Sequence, residues 1–63
     1  QTTIRHNMTS LIAYKEYLLN NMDSALYRAI HEENDNEARI HRAAYLSFRE
    51  ALEVFQQLLK KAA

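Results

Sequence analysis

The chain has 63 residues, 48% of them hydrophobic and 25% charged, and its eight Lys and Arg balance eight Asp and Glu. This composition indicates one small globular domain and argues against wholesale disorder. The chain contains no Gly, Pro or Cys, which excludes Gly-rich phosphate-binding loops, disulfides and catalytic thiols. No apolar run approaches the roughly 18 residues that span a bilayer, and no signal peptide is visible, so we expect an intracellular protein without membrane contacts.

The first predicted element is a helix from about residue 3 to about residue 32. Its apolar residues return at helical spacing and form a stripe about 140° wide at 100° per residue. The stripe keeps its phase through Asn20 and Asn21, which favours one continuous helix over the alternative of a break near Asn21. We predict that the stripe forms a core and dimer seam from Met8, Leu11, Ile12, Leu18, Leu19, Met22, Leu26 and Ile30.

Lys15 interrupts the middle of this stripe. In one interpretation its stem packs on apolar neighbours while the ammonium reaches solvent or a glutamate. In the other, Lys15 is a polar seam residue that sets the register or the oligomeric state at some cost in stability. A catalytic lysine would need a pocket with further polar groups, and the sequence does not supply them.

A polar connection separates the two halves of the chain, with the loop predicted at about residues 33–35. Asn34 followed three positions later by Glu37 resembles a capping box, which marks the start of the second helix. A connection this short places the two helices antiparallel, as an αα-hairpin.

The second predicted helix extends from about residue 36 to about residue 61. From Ala38 onward, the residues of one stripe recur in alternating steps of three and four positions, which is the spacing of an unbroken heptad seam. Ala44, Ala51 and Leu58 widen the stripe on one side. We predict that the seam consists of His41, Tyr45, Phe48, Leu52, Phe55 and Leu59.

Both stripes are broader than two helices can cover, and the usual solution is a second hairpin. We therefore expect an all-α antiparallel hairpin, one domain over residues 1–63, that dimerises into a four-helix bundle. A different protein as the partner is the second choice. Two helices of nearly equal length in a 63-residue chain are similar in architecture to the Rop-type RNA-binding regulators. That resemblance rests on length and helical pattern, and it implies no site residue and no activity.

The outer helix faces carry the candidate residues for partner binding, because aromatic and cationic side chains on an exposed face suit recognition. These residues are Tyr17, Tyr27, Arg28, His31, Arg39, Arg42 and Arg49. A non-enzymatic protein-interaction module, acting as a small regulator, adaptor or oligomerisation domain, is the first functional prediction. The alternative is a nucleic-acid-binding regulator, although neither half of the chain concentrates positive charge. The sequence shows no acid–base pair, nucleophile or cofactor loop, so we predict no enzyme, cofactor or metal site.

Overall fold

The computed structural model describes the backbone of residues 2–62 and the side chains of residues 9–62. Two α-helices, α1 (Thr2–His31) and α2 (Asp35–Ala62), pack against each other, which confirms the predicted all-α helical hairpin. Each helix end differs by one residue from the predicted bound. The predicted seam residue Met8 lies outside the described side chains. In the described helices, no segment combines the length and the apolar character that crossing a bilayer requires.

Helix α1 continues without a break through its polar central segment. The side-chain amide of Asn21 donates a hydrogen bond to the backbone carbonyl of Tyr17 at 2.7 Å. An asparagine that finds a partner one turn back does not need to unwind the helix to satisfy its amide. Arg28 and His31 lie in the last turn, where positive charge complements the helix dipole.

The connection between the helices is held by side chains rather than by a glycine. The Asn34 side-chain oxygen accepts a hydrogen bond from the Glu37 N–H at 3.0 Å, as an N-cap does, and the Ala38 N–H donates to the Asn34 carbonyl at 2.9 Å. The Asn34 N–H donates to the Glu32 carboxylate at 3.2 Å. Glu32 therefore takes the position that Glu37 would hold in a complete capping box. No residue of the described backbone has a positive φ.

The hairpin is a single layer of two helices. It measures 50 × 20 × 11 Å, and its thinnest dimension equals the diameter of one helix, about 10–12 Å. Among the side chains of residues 9–62, only Leu18 and Ala25 are buried, with 2% and 7% of their surface exposed. Globular domains bury their cores between at least two layers. The described chain therefore has the first layer of a core and lacks the second.

Candidate interaction surfaces

The line of α1 that faces α2 passes through Leu18 and Ala25. At 100° per residue, this line lies about 60° around the helix from Lys15, the middle of the predicted apolar stripe. Only one edge of the stripe is therefore used by the hairpin itself. The rest of it turns toward one side of the layer.

Four aromatic rings join the two helices along the other side of the layer, which we call the aromatic side. The ring of Tyr17 meets that of Phe48 edge-on at a centroid distance of 6.4 Å, and Tyr14 meets Phe55 edge-on at 5.1 Å. Tyr14 and Tyr17 are themselves stacked at 6.3 Å. Such ring pairs add specific attraction to the apolar area that they bury. The aromatic side is thus bridged by the chain's own side chains.

Two of these rings differ from the sequence-based expectation. Tyr17 was predicted on the outer face as a partner-binding residue, but its ring packs at the edge of the helix interface against Phe48. Tyr14 was not among the predicted site residues, although it lies one turn before Leu18 on the buried line. Both tyrosines remain about half exposed. A tyrosine can occupy such an edge because its ring packs while its hydroxyl stays in water.

The opposite side of the layer, which we call the aliphatic side, has no such cover within the described chain. It consists of Ile12, Leu19, Leu26 and Ile30 of α1 beside Tyr45 and Leu59 of α2. Ile12 is 58% exposed and Ile30 is 68% exposed. Unlike the tyrosines, Ile12 and Ile30 have no polar side-chain atom to hydrate, so their exposure carries the full cost of apolar surface in water.

Two shallow depressions lie between the helices on the aliphatic side. One is lined by Leu11, Ile12, Lys15, Phe55 and Leu59. The other is lined by Leu26, Ala29, Ile30, Arg42, Tyr45, Leu46 and Arg49. The structure therefore places Lys15 on the aliphatic side with its side chain exposed.

The predicted seam residues differ in how far they are buried. Leu19 and Met22 of α1 are half-buried, and Leu11 and Leu26 are more exposed. In α2, Leu59 also falls among the exposed side chains. The half-buried side chains of α2 are Ala38, His41, Ala44, Tyr45, Phe48, Ala51, Leu52 and Phe55.

The predicted partner-binding residues do not form one cluster. Tyr27 and His31 make a ring contact at 4.2 Å on the exposed surface of α1. Arg42 and Arg49 lie along the rim of the aliphatic side, and Arg49 forms an exposed ion pair with Glu53 at 3.4 Å. Arg28 and Arg39 are exposed elsewhere. Exposed ion pairs of this kind contribute little to stability.

Within residues 9–62, no three His, Asp or Glu side chains come together as potential metal ligands. Comparisons with protein-family models, curated proteins and solved structures found no match to this chain. The similarity to the Rop-type regulators thus remains one of length and helical pattern.

Proposed function

We propose that the chain is a non-enzymatic assembly module, a helical hairpin that dimerises through its aliphatic side into a four-helix bundle. The observation that carries this proposal is the single layer with one uncovered aliphatic side. A second hairpin supplies the missing layer, and the α1 stripe then packs against both its own α2 and the second copy. The surface around Tyr27, Arg28 and His31 stays exposed in such a bundle, where we propose that it contacts a protein partner.

The exposed area of the chain is large enough for an interface with a stable partner. The chain exposes 5513 Å², whereas a compact globular protein of its mass, 7.4 kDa, exposes about 4,200 Å². The excess of about 1,300 Å² exceeds the roughly 800 Å² that each partner buries in an interface of standard size. A chain with this excess gains stability by association, and its apparent stability then depends on concentration.

Sedimentation of charged variants tests which side associates. Ile12→Asp with Ile30→Asp changes two exposed residues of the aliphatic side, so it should dissociate the dimer because the new carboxylates would lose their water in an apolar interface. Val54→Asp is the matched control, because Val54 is 52% exposed on α2 and lies away from the aliphatic side. We expect the control to sediment as a dimer at micromolar concentration.

Three results would contradict this proposal. A folded wild-type monomer at micromolar concentration would exclude the dimer, and dissociation by Val54→Asp alone would move the interface to the other side. Retention of the wild-type protein on RNA at low salt, lost steeply as salt rises, would instead support the nucleic-acid-binding alternative.

A further inference from the structure

Carboxylates lie along the α1 rim of the aliphatic side, and arginines lie along its α2 rim. On α1, Glu16 and Asp23 occur in one row with the exposed isoleucines, in helical steps of four and three. The members of this row are Ile12, Glu16, Leu19, Asp23, Leu26 and Ile30. On α2, Arg42 and Arg49 line the depression beside Leu26 and Ile30. The α1 rim therefore carries two carboxylates, and the α2 rim carries two guanidinium groups, of which that of Arg49 is paired with Glu53.

The two rims have the same charge spacing. Glu16 and Asp23 are seven residues apart, as are Arg42 and Arg49, and seven residues correspond to about 10.5 Å along a helix. Of these four residues, only Arg49 forms an ion pair within the described chain, with the exposed Glu53. Glu16, Asp23 and Arg42 thus leave their charges available to a second molecule. Arg49 can exchange its exposed pair with Glu53 for a contact with that molecule, because such pairs contribute little to stability.

The ring contacts between the helices set the relative heights of the charges. Tyr17 contacts Phe48 and Tyr14 contacts Phe55, which places Asp23 about level with Ala44 and Glu16 about level with Ala51. Each arginine is then two residues, or roughly 3 Å, from the height of one carboxylate at 1.5 Å per residue. A flexible arginine side chain spans that offset.

Two symmetric ways of stacking the aliphatic sides differ in which rims meet. If the two-fold axis is parallel to the helices, both loops lie at one end, and α1 of one copy packs on α2 of the other at unchanged height. Asp23 then meets the partner's Arg42, and Glu16 meets the partner's Arg49. If the axis is perpendicular to the helices, the loops lie at opposite ends, and α1 packs on α1, with carboxylates facing carboxylates. Like charges that face each other oppose association.

We infer that the occupant of the aliphatic side is a second copy of this chain whose loop lies at the same end of the bundle, with four carboxylate–arginine contacts along the rims. This inference rests on the proposed dimer and adds its orientation. Complementary rim charges specify which arrangement forms, as charges flanking the seam do in coiled coils.

A distance measurement between spin labels tests the orientation. The chain has no cysteine, so a nitroxide on Glu33→Cys in the loop marks one end of each hairpin. With the loops together, the label separation should be below about 30 Å, since packed helices lie 8–10 Å apart and the label arms add the rest. A separation near the 50 Å length of the hairpin would overturn the orientation and leave the dimer intact. Absence of any dipolar coupling at a concentration where wild type should pair would overturn the dimer itself.

Charge reversal gives an independent test by sedimentation. Glu16→Lys with Asp23→Lys should weaken the dimer on the order of tenfold at low salt, because four attractive contacts become repulsive. Adding Arg42→Glu and Arg49→Glu should restore it. Glu50→Lys, an exposed change away from the aliphatic side, is the control and should leave the affinity unchanged. An affinity unaffected by the first pair, or not restored by the second, would contradict the parallel arrangement.

Discussion

The two sides of the hairpin differ in how their apolar side chains are shielded from water. On the aromatic side, Tyr14 and Tyr17 bridge to the phenylalanines of α2 and keep their hydroxyls at the surface. On the aliphatic side, Ile12 and Ile30 extend into solvent without a covering residue in the described chain. The comparison indicates that apolar content alone does not identify an interface. What matters is whether the exposed side chain has a polar tip that water can satisfy.

The largest expected loss of stability comes from a change on the buried line of α1, which lies between the aromatic side and the aliphatic side. Leu18→Ala removes the most buried side chain and should lower the free energy of unfolding by about 3 kcal/mol through lost burial and a cavity. Leu58→Ala is the control because Leu58 is 59% exposed and lines neither depression of the aliphatic side, and it should cost less than about 1 kcal/mol. Urea unfolding at one fixed chain concentration measures both. Equal losses in the two variants would show that Leu18 is not central to the packing.

A smaller loss of stability, independent of protein concentration, should show that the aromatic side takes no part in association. Tyr14→Ala removes the ring contacts with Phe55 and Tyr17 and should lower stability by about 2 kcal/mol. Because this side is covered by its own chain, the melting temperature should fall by a similar amount at every protein concentration. Tyr27→Ala, which loses only the contact with His31 among the described ring pairs, serves as the control. A loss confined to high concentrations would place Tyr14 in the dimer interface.

The smallest effect should come from the one lysine in the aliphatic depression. Lys15→Leu should raise stability by about 1 kcal/mol, since it replaces an ammonium beside Ile12 and Phe55 with apolar surface. If Lys15 only packs its stem, the mass by sedimentation should remain that of a dimer. If it selects the oligomeric state, mixed or larger species should form. A less stable variant would contradict both interpretations.

The hairpin itself follows from patterns visible in the sequence. Helical periodicity, the absence of Gly and Pro, and a polar connection ending in Asn34 predict two helices joined by a short turn. The division of the capping bonds between Glu32 and Glu37 could not be predicted, because either carboxylate can reach the Asn34 N–H. Only the fold of the connection decides between them.

The facing line of α1 was harder to predict than the half-buried line of α2. The half-buried side chains of α2 are mostly predicted seam residues with Ala44 and Ala51 beside them, so periodicity alone marks the direction that they face. The apolar stripe of α1 is broad, and α2 covers only the edge that carries Leu18 and Ala25. Tyr14 and Tyr17 extend the interface beyond that edge. A search for apolar residues at helical spacing gives tyrosine less weight than leucine, so it does not identify them. The signal that could have revealed Tyr14 is its position one helical turn before Leu18.

The three-residue connection also bears on how fast each level of structure forms. Contacts made across a short turn cost little loop-closure entropy, and helical hairpins with such local contacts fold in microseconds to milliseconds. Association of two chains is bimolecular and takes milliseconds to minutes, depending on concentration. At low concentration, the hairpin would therefore form well before it meets a second chain. Within the proposed dimer, encounter rather than folding sets the pace of assembly, and the opposite charges along the two rims act at that step.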